Sequence, residues 1–306
     1  MKIIYTPAYN IDFGLLNRLH PFDGRKYAKV AESLHALTGV EMAEPLAPVD
    51  EATVQTFVGS IFGNLLSSKR YILQALELPW IPLLPFSMID RRILTPMRWA
   101  VSGTLTAARA ALREGGHVWN LSGGYHHASR NAAEGFCVYN DIGITVEQLR
   151  GDNTLGTEDR ILIVDIDAHH GNGNAHVFMD DKRVDILDIY NDTIYPRDGF
   201  TRQRVDIDLP LRNAVSGDEY LARLRSGLGE VIGGHALAFV VAGTDVLASD
   251  PLGGMRLSVA DCVERDALVL DRLSSLGTSA VFVGGGGYGK ESAAAMAASI
   301  SNLVRR

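Results

Sequence analysis

RILIVDIDAHHGNGNAHVF, residues 160–178, contains both a strand and the start of a reactive centre. Arg160 to Ile166 is a short apolar, β-branched run bounded by polar residues, which reads as a β-strand. Successive residues of an extended chain alternate faces, so Asp167 and His169 point the same way as the chain leaves the strand and can reach one cation. The same design recurs from about residue 97 onward. HVWNL (117–121), RVDILDI (183–189), ALAFVVA (236–242) and SAVFVGG (279–285) read as strands. Helical patterns are expected at Met97–Arg113, Asp218–Ile232, Val259–Leu276 and Ser292–Val304. Strands alternating with longer amphipathic stretches predict an α/β fold, a single domain with a central, mostly parallel sheet flanked by helices on both faces. The N-terminal third joins it through KIIYT (2–6), a further strand, and HPFDGRKYAKVAESLHAL (20–37), where Asp23 is the expected cap of a helix. LELPWIPLLPFSMI (76–89) holds Pro79, Pro82 and Pro85 and reads as a structured loop. With no repeat or low-complexity linker, residues 1–306 form one expected domain.

Composition narrows the function. The 306 residues are 46% hydrophobic and 21% charged, enough for a large core. A net charge of −7 argues against a nucleic-acid partner, whose phosphates demand clustered Lys and Arg. Cys137 and Cys262 stand far apart and outside any CxxC spacing, so neither a disulfide framework nor a thiolate metal site is expected, and a reducing, cytoplasmic setting fits. The start MKIIYTPAYN lacks a cationic leader and apolar run, and no apolar stretch approaches the ~20 residues of a membrane span, so a soluble protein is expected.

Four of the strands end in reactive groups: WNLSGG before Tyr125, His126 and His127; ILIV before Asp165, Asp167, His169 and His170; FVVAGT before Asp245; and VFVGGGG before Tyr288. Ligands of open parallel sheets bind beyond the carboxyl ends of the strands, so these segments should converge on one pocket. Asp245 would complete a set of two carboxylates and one imidazole, which leaves an open position as catalytic zinc sites do, although Fe(II) and Mn(II) also suit such ligands. One strand-end aspartate alone more often caps a helix; the set as a whole points to a metal. His126 and His127 beside it are candidate proton-transfer groups, since an imidazole titrates near neutrality. Gly284–Lys290 fits the GxxxxGK half of a phosphate loop, but Glu291 occupies the Ser/Thr position and would repel phosphate. The glycines fit close backbone packing that presents Tyr288 to the pocket.

GGYHHASRNAAEGFCVYND (123–141), DIDAHHGNGNAHVF (165–178), IYNDTIYPRDG (189–199), AGTDVLASDPLGG (242–254) and GGGGYGKES (284–292) resemble, in order and spacing, the signature segments of zinc-dependent histone deacetylases, of the arginase/deacetylase fold. The opening YNIDFGLLNRLHPFDGRKYAKV (9–30) resembles the start of the class IV branch. The resemblance implies Zn²⁺ on Asp167, His169 and Asp245. It implies His127 as the base that later returns a proton to the amine, His126 paired with Asp165 as a tuner of the field, and Tyr288 as donor to the oxyanion. It further implies a channel lined by Gly135, Phe136 and Tyr195, and a monovalent-cation site, K⁺, made by Asp165, Asp167, His169, Asp188 and Ile189. Three positions depart from class I. Asn172 replaces an Asp beside His127, which should leave His127 a better base; Asp188 replaces a Ser; and Lys26 lies near the place of an Arg at the inner end of the channel.

The expected reaction is removal of acyl groups, acetyl or longer fatty acyl, from lysine side chains of a protein or peptide. An acetylated polyamine or another small acyl-amine is the alternative substrate, because the superfamily shares this site. A binuclear Mn²⁺ ureohydrolase would need further Asp ligands where His170 stands. An acyl-lysine-binding module without catalysis fits poorly with intact His126, His127 and Tyr288. The apolar run 76–89 is a candidate wall for an acyl tunnel, although ordinary packing is its plainer reading. Oligomeric state is not legible.

Overall fold

The computed structural model describes residues 1–12 and 21–306; residues 13–20, which carry part of the class IV resemblance, lie outside the described residues. Eight strands, β1 (Lys2–Ile4), β2 (Glu41–Ala43), β3 (His117–Asn120), β4 (Arg160–Asp165), β5 (Val184–Asn191), β6 (Ile207–Leu211), β7 (His235–Val241) and β8 (Ala280–Val283), form one sheet in the order β2-β1-β3-β8-β7-β4-β5-β6. Every pairing is parallel. The chain builds β1 to β3, leaves a gap, builds β4 to β6, and returns to fill the gap with β7 and β8. All carboxyl ends share one edge, so β3, β8, β7, β4 and β5, distant in sequence, deliver their following loops side by side.

The strands are apolar on both faces because helices cover both. On one face Ile3, Trp119, Val164, Val240 and Phe282 pack against α1 (Lys26–Leu34), α8 (Gly217–Glu230), α9 (Val259–Ser275) and α10 (Ser292–Val304) through Val30, Leu224, Leu273 and Ile300. On the other, Ile4, Val118, Ile163, Phe239 and Val281 meet Ala107, Ala111, Ile142 and Val146. A third apolar cluster joins α2 (Glu51–Leu66) and α3 (Lys69–Ala75) to α5 (Thr95–Glu114) and α6 (Asp141–Gly151) through Phe57, Phe62, Ile72, Met97 and Ile144. Helix starts follow local chemistry: Asp50 caps α2 at the Thr53 N–H (2.7 Å), and Ser258 and Asp261 form a reciprocal capping box on α9.

Two expectations need correction. Asp23 does not cap α1: the helix begins after Arg25, and Asp23 instead accepts the Arg25 N–H (3.0 Å) and shapes the preceding turn. The run 76–89 is a loop only as far as Pro85. Phe86–Ile89 is helical (α4), since a proline just before a first turn forfeits no needed N–H. A π-helical turn, Asp90–Leu94, joins α4 to α5 and precedes Pro96, which cannot donate to the carbonyl four residues back; that carbonyl, of Arg92, takes the Asp12 N–H at 3.3 Å. No helix of the described residues is long and apolar enough to cross a membrane.

Candidate active site

Asp167 and His169 follow β4, and Asp245 follows β7, its neighbour in the sheet. Asp167 and Asp245 are fully buried and His169 is 7% exposed. Their ligating atoms lie within 4.8 Å of one another, with His169 Nδ1 3.1 Å from Asp167 Oδ1 and 2.8 Å from Asp245 Oδ2. Two carboxylates and one imidazole in a water-poor interior leave an excess of negative charge that a cation offsets, and the oxygen/nitrogen set suits a divalent metal. Backbone donors set the carboxylates: the Gly286 N–H donates to Asp167 Oδ2 (2.7 Å) and the Ala168 N–H to Asp245 Oδ1 (2.9 Å). Glycine is required for this close approach, because a Cβ on Gly243 would sit 1.9 Å from Asp167 Oδ2 and one on Gly286 2.3 Å from Asp245 Oδ2. The donor set and its cradle therefore fit a bound metal ion. Among the described residues it is the one such group of His, Cys, Asp and Glu.

The loop after β3 brings the two histidines against this group, with ring centroids 4.1 Å apart. His126 Nδ1 lies 2.8 Å from Asp165 Oδ2. Burial alone would lower its pKa, but the charges of Asp165 and Asp167 prevail and raise it to about 9. His127 goes the other way: burial, then the neighbouring His126 and His169, push it well below the ordinary value. Its Nδ1 is 2.8 Å from Asn172 Oδ1, and the Asn172 amide donates to Glu134 Oε1 (2.8 Å). That chain of donors assigns the proton of His127 to Nδ1 and leaves Nε2 as a lone pair. The contact of Asn172 with His127 is thus present, and Glu134, its anchor, is a residue that no sequence pattern announced.

Tyr288, from the loop after β8, packs on Phe136 with centroids 5.6 Å apart. Asp250 fixes this loop by accepting the N–H groups of Tyr288 (2.7 Å) and Gly289 (2.9 Å). Burial and then the charges of Asp245 and Asp167 hold the phenol well above its ordinary pKa, so it remains a donor. Gly135, Phe136 and Tyr195 come together as expected. Gly135 has φ +54°, and a Cβ there would lie 2.5 Å from His127 Cδ2 and 3.0 Å from Tyr195 Cε1, so only glycine lets those two rings flank the passage. Beside it lies a mouth of about 180 Å³ that reaches Glu77, Ile194 and Leu252. A cavity of about 50 Å³ that touches His127 and Tyr288 is walled by Ile11, Phe22, Tyr27, Leu76 and Met97. Of the apolar run 76–89, Leu76 lines this cavity and Glu77 the mouth, while Trp80 is 53% exposed and Phe86 faces a separate cleft beside α2, so only the start of the run reaches the channel.

Asp188 is buried beside Asp165 in the paired strands β5 and β4. Its Oδ2 accepts from the Gly171 N–H (3.0 Å) and lies 2.7 Å from His170 Nδ1, while Oδ1 has no hydrogen-bond partner among the described residues. An orphaned buried carboxylate oxygen fits a cation. Ile189, the next residue of β5, is fully buried in the core. Lys26 is buried with its ammonium donating to the Gly286 carbonyl (2.8 Å); burial lowers its pKa to about 8 against the pull of Asp245 and Asp167. Arg265, unmarked in the sequence reading, donates from α9 to the carbonyls of Ile166 (3.0 Å) and Gly243 (2.5 Å), just ahead of two of the three metal-group residues.

A neutral imidazole, a protonated phenol and a buried metal-binding triad at the strand ends of a parallel α/β sheet are the equipment of a hydrolase that attacks a carbonyl with water. Comparison narrows that class to one family. The model of the histone deacetylase domain matches residues 20–304, and the chain belongs to the histone deacetylase family, whose reaction is acyl-amide hydrolysis. It is similar to Histone deacetylase 2 of Arabidopsis thaliana, with 33% identity over the whole chain and 79% of that protein. It is also similar to the Acetoin utilization protein AcuC of Bacillus subtilis, with 26% identity over 93% of this chain and 76% of that one. Among solved structures, the crystal structure of the HDA15 HD domain shares the arginase/deacetylase fold at a TM-score of 0.74, covering 100% of this chain and 90% of that chain at 18% identity.

Proposed function

We propose that this enzyme removes acyl groups from lysine side chains, with Zn²⁺ held by Asp167, His169 and Asp245. The observation that carries the reading is the pairing of that buried triad with His127, whose Nδ1 is engaged by Asn172 so that Nε2 is left to accept a proton. The ion supplies polarisation of the scissile carbonyl and a more acidic water when bound. His127 Nε2 takes the proton of the attacking water and returns it to the departing amine. Tyr288 donates from its hydroxyl to the oxygen on which charge develops, where a preorganised donor acts most strongly. His126, held by Asp165, keeps positive charge beside the reacting centre and thereby keeps His127 neutral. Gly135, Phe136 and Tyr195 enclose the lysine stem. The orphaned Asp188 oxygen supports K⁺ at the site of Asp165, Asp167, His169, Asp188 and Ile189. The apolar walls beside His127 and Tyr288 support an acyl group as the part of the substrate lodged there, and the resemblance of the opening segment 9–30 to the class IV branch favours one longer than acetyl.

The test is a mass-spectrometric time course on acetyl-, octanoyl- and myristoyl-lysine peptides and an acetylated polyamine. It is run on metal-stripped protein reloaded separately with Zn²⁺, Fe²⁺ or Mn²⁺. Peptide turnover restored by Zn²⁺ supports the proposal; turnover of the polyamine alone assigns small-molecule chemistry, and restoration only by another ion replaces zinc.

A further inference from the structure

The end of α2, the start of α3 and the loop through Leu83 expose apolar side chains at the surface. Ile61 and Leu65 stand one turn apart on α2, on one side of the helix, and are 86% and 44% exposed. The chain turns from α2 into α3 through the Ser68 N–H, which donates to the Leu65 carbonyl at 2.9 Å, so Lys69 follows Leu65 closely in space. Lys69 in turn donates to the Pro82 carbonyl (3.0 Å) and lies 4.5 Å from the centre of the Trp80 ring, with Arg70 5.5 Å from the same ring. Leu83, next to Pro82, is 93% exposed. Trp80 and Leu83 thus stand beside two cations, and Ile61 and Leu65 are exposed on the end of the helix that leads into them.

Charge says what such a face meets. The chain carries −7, yet within residues 52–89 the only charged side chains are Lys69, Arg70 and Glu77. Glu77 belongs to the channel mouth. Protruding aliphatic side chains, a tryptophan at the boundary and basic groups beside it match the two-part demand of an anionic bilayer: apolar tips among the acyl chains, cations at the headgroups. The pairing of Lys69 and Arg70 with the Trp80 ring favours an anionic surface over an apolar protein partner.

We propose that α2, the start of α3 and the loop through Leu83 form a peripheral docking surface for anionic lipid. The same segment borders the catalytic channel, since Glu77 lines its mouth and the Ala75 carbonyl accepts the Phe136 N–H (3.0 Å). Docking therefore sets the channel mouth beside the membrane, where acyl-amines carried by membrane-associated proteins are presented. The docking itself stands apart from the reaction assigned above and is read without it.

The experiment is co-sedimentation of the full chain with phosphatidylcholine vesicles and with vesicles that also contain phosphatidylserine, alongside Leu83→Asp, Ile61→Asp and the pair Lys69→Gln/Arg70→Gln. Binding to the phosphatidylserine vesicles alone is expected, weakened about tenfold by either aspartate and by the paired glutamines, and weakened by added salt. Circular dichroism and turnover of a soluble acyl-peptide should be unchanged in Leu83→Asp and Ile61→Asp. Equal partitioning of the wild type and both aspartate variants would overturn the proposal, as would absence of binding. Self-association that Leu83→Asp abolishes, without vesicle binding, would reassign the face to a second copy of the chain.

Discussion

Replacing Arg265 by Met removes a fully buried guanidinium that touches no substrate, and the structure shows what should follow. Its Nε pairs with Asp266 Oδ1 at 2.8 Å, and its Nη1 donates to the Ile166 and Gly243 carbonyls. The Ile166 carbonyl retains the Tyr220 hydroxyl (3.1 Å), but the Gly243 carbonyl loses its guanidinium donor, and Asp266 is left with the Ser299 hydroxyl. Breaking one half of a buried ion pair costs about 3–5 kcal/mol, and a carbonyl left without its donor about 1–3 kcal/mol. The expected loss is therefore about 5 kcal/mol of unfolding free energy, read by urea denaturation. Because Ile166 precedes Asp167 and Gly243 lies two residues before Asp245, metal affinity measured by chelator competition should fall with it. Adding Asp266→Asn to Arg265→Met should recover part of the stability by removing the orphaned charge, while leaving the metal affinity low. Unfolding within about 1 kcal/mol of wild type together with unchanged metal affinity would refute the reasoning.

Tyr288→Phe should lower turnover about 100- to 1,000-fold with metal content and peptide binding intact, because only the oxyanion donor is lost; equal kcat would remove Tyr288 from the reaction. Gly135→Ala should cost about 100-fold in kcat/KM at unchanged metal stoichiometry, since its Cβ would displace the His127 ring; a crystal structure showing His127 unmoved would contradict this. Lys26 has a folded pKa of about 8 against an ordinary 10.5, so the unfolded chain binds more protons between those values. Unfolding free energy should then rise across that window by about 3 kcal/mol in all, and Lys26→Met should flatten the rise in a denaturation series over pH; a bound cation pushes the lysine the same way and keeps the sign.

What the sequence made legible follows from how each residue is held. The central strands read clearly because both their faces are buried, so Ile161–Val164 and Leu237–Val241 are apolar without interruption. β2 and β6 were missed because they are the sheet edges: Glu41 and Met42 face solvent, and Pro210 interrupts β6, which an edge strand tolerates. α6 was hidden by a glycine near its start and little periodicity, being buried on several sides; its real signal was Asn140, whose side chain accepts the Gly143 N–H at 2.6 Å. In the site, residues that end a strand were legible, because strand ends point to one edge. Glu134, Asp250 and Arg265 act through an amide, two N–H groups and two carbonyls, and no spacing rule announces a side chain whose partner is backbone or another side chain's far end.

Those supports explain why fold and site arise together. Asp167 follows β4, yet one of its oxygens is held by the Gly286 N–H beyond β8; Asp245 follows β7, yet it is held by the Ala168 N–H beyond β4. Each carboxylate is thus oriented in part by the backbone of a different strand's loop, so its position depends on the register of the central strands as well as on its own loop, where the His169 N–H holds the other Asp167 oxygen at 3.0 Å. The late return of the chain to insert β7 and β8 between β3 and β4 is then what assembles the centre: until those strands are seated, Asp245 and Gly286 lack their places. Arg265, on the helix between β7 and β8, reaches back to the carbonyls beside both Asp167 and Asp245, and so ties that insertion to the two carboxylates it completes.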